Sequence, residues 1–222
     1  MRDFKELILA HKGKRICVMG GGPLVIPKAD VYISTNAHGV ELQAPDYLLA
    51  MDEKNSREGK EMGAFLRAKS DAPIISPHGY ADFRLGHWPQ NPRFVLSGMI
   101  ATWAAFAMGA KVVLLAGCDG YGGDPGYVDE ARKIARDVKC PVRVVGGGPL
   151  TQVWPEYDAK ERFGKYVPHS AIDGLLGVPG QIRIRARKAC SVGYTDLVKG
   201  QEMSAMRHEV ALLLKHRMVE EV

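Results

Sequence analysis

Three consecutive glycines in this 222-residue sequence have the type and spacing needed to bind a phosphorylated ligand. Gly20, Gly21 and Gly22 directly follow a short apolar segment, and Pro23 comes next. Glycines at such a turn allow backbone N–H groups to approach a phosphate or a ribose without interference from side chains. The alternative interpretation is a tight turn that binds no ligand.

Two polar residues and a serine–glycine pair are further candidates for contact with such a ligand. Asn36 and Asp52 each end an apolar segment, where their side chains could hydrogen-bond a ribose or a base edge, or only complete a local turn. Ser97 and Gly98 open a long apolar segment of helical length. A helix N-terminus at that point favours an anion, although Ser97 could serve only as the N-cap.

A glycine-rich loop that begins at Gly117 contains the clearest candidates for catalysis. Tyr121 and Tyr127 are six residues apart, and their phenols could donate hydrogen bonds to a departing phosphate. The alternative is that they are surface tyrosines. Asp119 comes earlier in the loop, where we expect it to brace the turn rather than to bind a metal.

The histidines and cysteines show no metal-binding or nucleophile pattern. His78, His87 and His169 fall in predicted loops, where a general base could be placed, although each could be an ordinary surface residue. The four cysteines lack C-x-x-C spacing, so we predict buried free thiols in a reducing compartment, with no metal site. No apolar segment is long enough to span a bilayer, and the expected location is the cytoplasm.

Short, continuously apolar segments alternating with helical ones predict how these residues are positioned. This pattern is typical of strands covered on both faces, so we predict a doubly wound, mostly parallel, Rossmann-like α/β sheet. In such a sheet, ligands bind beyond the carboxyl ends of the strands. The predicted strands are residues 15–19, 31–35, 47–51, 73–76, 111–116 and 142–145, and the predicted helices are residues 3–11, 59–68, 98–108 and 128–138.

We expect two domains, a nucleotide-binding domain over residues 1–178 and a small basic βα module over residues 179–222. In the module, residues 181–188 alternate apolar and basic side chains, and residues 203–218 have an amphipathic helical pattern. The net charge of +5 favours an anionic ligand, or only a solvated basic surface. Nucleic acid is disfavoured as a partner because few aromatic residues accompany the arginines.

Taken in order, these motifs resemble those of the bacterial lipooligosaccharide-type sialyltransferases and related phage and bacterial glycosyltransferase-like proteins. The matching positions are Gly20–Pro23, Asn36, Ser97–Gly98, the segment 105–109, the segment 117–121 and Tyr127. The resemblance implies that the glycine loop and Asn36 hold a CMP-linked sugar, and that the two tyrosines assist departure of the nucleotide.

This sequence departs from the family pattern at three places. Gly21 replaces an asparagine, Asp52 stands where an asparagine is expected, and Gly146–Leu150 occupies the stretch where the family has its catalytic histidine. His169, in the next segment, is the expected substitute for that histidine.

The resemblance implies a glycosyltransferase that takes a nucleotide sugar, with a CMP-type donor favoured, and transfers the sugar to an acceptor hydroxyl that the sequence does not identify. The donor is a substrate, and no cofactor is expected. The alternative is a non-catalytic, phage-encoded nucleotide-binding or virion-associated accessory protein, since the C-terminal segment is similar to small modules of phage gene products. The sequence leaves a homo-oligomer open.

Overall fold

A computed structural model describes most of the chain, which divides into two compact units, Met1–Pro168 and His169–Val222. The domain boundary that the sequence places after residue 178 stays a prediction. The described residues are 1–55, 59, 61–86, 96–118, 125–167, 172, 181–192, 195–197, 199–206 and 218–221.

The first unit is built on a sheet of eight strands in which all the neighbouring strands pair in parallel. The strands are β1 (Arg2–Asp3), β2 (Arg15–Met19), β3 (Val31–Thr35), β4 (Tyr47–Leu49), β5 (Ile74–Ser76), β6 (Phe83–Arg84), β7 (Val112–Ala116) and β8 (Val142–Val145). Their order across the sheet is β1-β6-β5-β4-β3-β2-β7-β8. The predicted fold class, a doubly wound parallel α/β sheet, is confirmed.

The strand order reverses direction between β2 and β7. From β2 the chain builds outward through β3, β4, β5 and β6, then returns to place β7 on the other side of β2 and β8 beyond it. After β2 and after β7 the chain therefore continues toward opposite sides of the sheet. In open α/β sheets this switch point is where ligands bind.

Three helices lie among the described residues: α1 (Met62–Lys69), α2 (Ser97–Ala107) and α3 (Pro125–Asp137). Every residue of α2 is buried, because this helix packs against β2, β3 and β7 and is covered in turn by α3. A helix that is apolar on all sides requires such burial. The N-terminus of α2 is thereby held at the central strands of the sheet.

Both faces of the central strands are covered. Cys17 and Met19 of β2 form a buried cluster with alternate residues of β7 (Val112, Leu114 and Ala116), and the loop side chains Leu24, Ile26 and Phe163 pack against it. Cys17 and Cys118 are buried, as predicted, whereas Cys140 is only partly buried. Burial raises the pKa of the Cys17 thiol. Coverage of both faces explains why the strand segments read as continuous apolar runs.

The predicted opening helix over residues 3–11 is wrong. Its residues form the end of β1, a 3₁₀ helix (Phe4–Leu7) and turns, with Leu9 at a φ of 60°. The amides of Leu9, His11 and Gly13 donate to Ala107, Met108 and Gly109 at the C-terminal end of α2. Satisfying those carbonyls favours the irregular conformation over a continuous helix.

His11 predicts a pH dependence of stability. Its Nε2 lies 3.0 Å from the Tyr47 hydroxyl, and burial lowers the pKa of His11 below its ordinary 6.5. The folded state therefore binds fewer protons than the unfolded state. The contribution of His11 to the free energy of unfolding is complete above pH 6.5 and is lost as the pH falls below that value. Denaturant unfolding between pH 7.5 and 5 should show this loss. His11→Gln should lose less stability over the same range, and equal slopes for the two proteins would contradict the assignment.

The described part of the second unit consists mainly of short antiparallel strands. They are β9 (Gln181–Ala186), β10 (Cys190–Val192), β11 (Thr195–Leu197), β12 (Glu202–Met206) and β13 (Val219–Glu221). β9 pairs with β12 and β13, and β10 pairs with β11. The helix predicted over residues 203–218 is wrong at its start, since Met203–Met206 lies in β12 and pairs with β9, while residues 207–217 lie outside the described residues.

The basic strand β9 meets an acidic residue on its neighbour. Arg185 lies 3.8 Å from a Glu220 carboxylate oxygen, and Arg187 Nε donates to Glu220 at 2.7 Å. Glu220 thus offsets part of the positive charge that suggested an anionic partner for this segment.

None of the helices in the described part of the chain combines the length and the apolar character needed to cross a bilayer.

Candidate functional site

The loops after β2 and β7 are joined by backbone hydrogen bonds at the switch point. Gly20 N–H donates to Ala116 O and Gly22 N–H donates to Gly117 O, each at 2.8 Å. A Cβ at Gly20 would lie 2.5 Å from Gly117 O and 2.8 Å from Cys118 Sγ, so only glycine fits there. The sequence assigned these glycines to ligand approach. Two of the three amides instead hold the loops together, and Gly21 is the exposed member of the three.

The loop after β3 brings a histidine against that exposed glycine. Asn36 and Ala37 both have positive φ angles, 50° and 62°, which turn the chain sharply. The turn is held by Ser34 Oγ, which donates to His38 O at 2.8 Å, and by His38 N–H, which donates to Thr35 O at 2.9 Å. A Cβ at Gly21 would lie 2.9 Å from His38 Nε2. The imidazole therefore lies against one side of Gly21.

A hydrogen-bonded chain of side chains joins the ends of β3 and β4 to the start of α2. Ser97 Oγ donates to Asn36 Oδ1 at 3.4 Å, and Asn36 Nδ2 donates to Asp52 Oδ2 at 3.4 Å. Met51 N–H donates to Ser97 Oγ at 3.2 Å. Asp52 is exposed and Asn36 is partly exposed, whereas Ser97 is buried. The three polar residues that the sequence singled out are thus linked through Asn36.

Ser97 does not act as the predicted N-cap of α2. Leu96 occupies the cap position and Ser97 is the first helical residue, with its hydroxyl turned toward Met51 and Asn36. The Leu96 amide lies 3.4 Å from the carboxylate of Glu130, a buried residue of α3. A carboxylate at a helix N-terminus interacts favourably with the helix dipole. No motif in the sequence predicts this contact of Glu130.

Tyr127 lies in the first turn of α3 rather than in a loop, and its side chain is buried. Its hydroxyl is 2.7 Å from the position that a Cβ at Gly98 would take, and Cys118 Sγ is 3.6 Å from the same position. The glycine therefore lets the phenol approach the N-terminal turn of α2. This places a hydroxyl donor at the electropositive end of a buried helix.

His78, which lies two residues beyond β5, contacts the loop after β4. Its Nε2 lies 2.8 Å from Met51 O, and its Nδ1 lies 3.9 Å from a Glu53 carboxylate oxygen. Because a carbonyl can only accept, Nε2 carries the hydrogen and Nδ1 holds the lone pair in the neutral ring. His78 stacks on Tyr80, whose hydroxyl donates to Asp52 O at 2.5 Å. Burial raises the pKa of Tyr80.

These contacts connect the carboxyl ends of β2, β3, β4 and β7 with the start of α2. We call this group the carboxyl-edge cluster; its members are Gly20, Gly21, Gly22, Asn36, His38, Asp52, Ser97, Gly98, Gly117, Cys118 and Tyr127. Within the described residues, no three histidine, cysteine or acidic side chains converge as metal ligands.

Several predicted site residues cannot be placed in the cluster. Asp119, Tyr121, His87 and His169 lie outside the described residues. Pro23 is exposed at the end of the glycine loop. The sequence reading did not select His38, Cys118 or Glu130. The sequence offers one weak signal that His38 belongs to the site: it lies two residues beyond Asn36, at the end of a predicted strand.

Comparisons with known proteins give one likeness of fold. No protein-family model matches the chain, and no curated protein matches it. Among solved structures, the chain is similar to the sialyltransferase CstII from Campylobacter jejuni, in complex with a substrate analogue, cytidine-5'-monophosphate. The identity is 13%, the match covers 72% of this chain and 97% of that chain, and the TM-score is 0.44. A likeness at this level concerns the fold alone.

Proposed function

We propose that this chain binds a nucleotide-activated sugar at the carboxyl-edge cluster and transfers the sugar to an acceptor hydroxyl. The observation that carries this proposal is the hydrogen-bonded chain Asp52–Asn36–Ser97, which joins the carboxyl ends of β3 and β4 to the start of α2. Amide and carboxylate groups at that position suit the hydroxyls of a ribose and the edge of a base, which are the groups that distinguish one nucleotide from another.

The reaction would be a direct displacement at the anomeric carbon. The acceptor oxygen forms a bond to that carbon, the bond from the carbon to the phosphate oxygen breaks, and a base takes the proton of the acceptor hydroxyl. The sequence favours His169 as that base. The leaving phosphate gains negative charge, which Tyr121, Tyr127 and the amides at the start of α2 would stabilise. A CMP-type leaving group suits a site that relies on such donors.

Ligand binding is tested by thermal unfolding with CMP, UDP, GDP and dTDP and by calorimetric titration of each. A ligand that binds only the folded state stabilises it by about 4 kcal/mol at a thousandfold excess over Kd. We expect one of these nucleotides to raise the melting temperature and the others to raise it less. If none of the four shifts it, the chain does not bind nucleotides at this site.

Asn36→Gly should weaken nucleotide binding about tenfold, since it removes one hydrogen-bonding side chain. Glycine adopts the positive φ of residue 36 without strain, so the turn is kept. The matched control is Ala37→Gly, which alters the neighbouring positive-φ position and leaves every polar side chain in place. Calorimetry of both variants checks the expectation, and equal affinities would remove Asn36 from the site.

The second candidate function is nucleotide binding without turnover, as in a phage-encoded accessory protein. It is favoured by the segment after β8, where Gly146, Gly147 and Gly148 all have positive φ and precede a 3₁₀ helix (Pro149–Gln152). These glycines offer no base where the family resemblance expects a histidine. Incubation with CMP-linked sugars and chromatography of the released nucleotide distinguishes the two functions, because an accessory protein binds the nucleotide and releases none.

A further inference from the structure

We propose that His38 is a ligand-contacting residue that supplies a hydrogen-bond donor to the phosphate of the bound nucleotide. This inference rests on the proposed nucleotide binding. It starts from the glycine loop, where the Gly20 and Gly22 amides donate to Ala116 O and Gly117 O. A phosphate at this loop therefore needs donors from elsewhere, because a buried or half-buried anion requires hydrogen-bonding partners.

The imidazole of His38 lies beside this loop, within reach of an anion that binds at Gly21. Its Nε2, Cε1 and Cδ2 are 2.9, 3.0 and 3.2 Å from the place that a Cβ at Gly21 would occupy. A side chain at position 21 would therefore overlap the ring of His38 in its present position, and glycine at position 21 admits the imidazole there. The exposed glycine of the loop and a partly exposed histidine form one surface at the carboxyl end of β2.

The backbone holds this histidine in place. The turn at Asn36 and Ala37 has two consecutive positive φ angles in residues other than glycine. This conformation costs about 1–2 kcal/mol for each residue and persists only where the surrounding structure imposes it. Ser34 Oγ and Thr35 O, which both precede the turn, hydrogen-bond the backbone carbonyl and amide of His38. A strained and fastened turn of this kind is typical of a residue held for binding.

The pairing of Gly21 with His38 also gives a prediction of coupling. Gly21→Ala places a Cβ against the ring and should displace it, so this variant should weaken binding as much as His38→Ala does. In the double variant there is no ring left to displace. We therefore expect its affinity to equal that of either single variant, whereas independent contributions would multiply.

The experiment measures binding of CMP, cytidine and inorganic pyrophosphate by calorimetry to the wild-type chain and to His38→Ala, His38→Gln, Gly21→Ala and the double variant. A charge-assisted hydrogen bond to phosphate predicts about a tenfold loss of CMP affinity in His38→Ala. Cytidine, which lacks the phosphate, should bind the variant and the wild type equally. His38→Gln keeps a donor and should recover part of the CMP affinity.

Each outcome has a separate meaning. Equal loss of CMP and cytidine affinity shows that His38 only shapes the loop, and a gain of CMP affinity in His38→Ala shows that the ring blocks the ligand; either result overturns the inference. If the wild-type chain binds pyrophosphate through His38 but binds no nucleotide, the phosphate contact stands and the proposed function fails. If the wild-type chain binds none of the three, the inference about His38 fails, and the proposed function fails with it if UDP, GDP and dTDP do not bind either.

Discussion

Gly20→Ala should lower the free energy of unfolding by about 3 kcal/mol, a large effect for one methyl group. The added Cβ would lie 2.5 Å from Gly117 O and 2.8 Å from Cys118 Sγ. Neither neighbour can give way easily, since one is a backbone carbonyl and the other belongs to a buried residue. Relief requires the loops after β2 and β7 to separate, and this breaks the hydrogen bonds that join them at 2.8 Å.

Denaturant unfolding of Gly20→Ala and of Gly164→Ala checks this expectation. Gly164 is exposed, and a Cβ there has no atom within 4 Å, so its replacement should stay within about 0.5 kcal/mol of the wild type. The same preparation of Gly20→Ala should also lose nucleotide binding, because the two loops form one side of the carboxyl-edge cluster. A Gly20→Ala protein as stable as the Gly164→Ala control would show that the two loops separate at little cost.

The central part of the fold was predictable because burial on both faces leaves a strong pattern. β2, β3 and β7 are five-residue strands that are mostly apolar and almost wholly buried, and nearly every residue of α2 is apolar. Such segments have few alternatives in a chain of this length. The short glycine turns between them then predict a parallel, doubly wound order.

Two segments with a helical pattern formed other structure, since tertiary contacts outweigh local propensity. Leu9 and His11 donate their amides to Ala107 and Met108 at the end of α2, which a continuous helix over residues 3–11 would not allow. Met203–Met206 pairs with Gln181–Ile184, because the alternating strand β9 needs a partner along each edge. Neither requirement is visible in a local window of sequence.

The candidate site divides in the same way. The meeting of Asn36, Asp52 and Ser97 follows from strand order, because each residue lies near the carboxyl end of a neighbouring parallel strand or at the helix start beside it. His38 and Glu130 could not be foreseen, since the first depends on two positive φ angles and the second on how α3 packs across the start of α2. Side chains positioned by turns and by helix packing carry no periodic signal.

Tyr127→Phe should lower kcat for transfer from a nucleotide sugar by about a hundredfold while leaving donor binding little changed. This follows from the proposed function and from the place of the phenol, whose hydroxyl lies against Gly98 at the N-terminus of α2. Loss of one donor that stabilises developing negative charge costs about 10²–10³ in kcat. A hydroxyl that acts only in the transition state leaves KM unchanged, and the separation of kcat from KM identifies its role.

The matched control is Tyr157→Phe, which removes a hydroxyl from a tyrosine that packs on the cluster around Cys17 and Met19. It should retain full kcat, and both variants should unfold within about 1 kcal/mol of the wild type, since each loses at most one hydrogen bond. Tyr121→Phe, at the first tyrosine of the sequence motif, should resemble Tyr127→Phe. Full turnover in Tyr127→Phe would mean that the buried phenol is part of the packing between α2 and α3. The amides at the start of α2 would then stabilise the leaving group. In that case, a sugar donor whose leaving phosphate is less acidic should react with a steeper loss of rate.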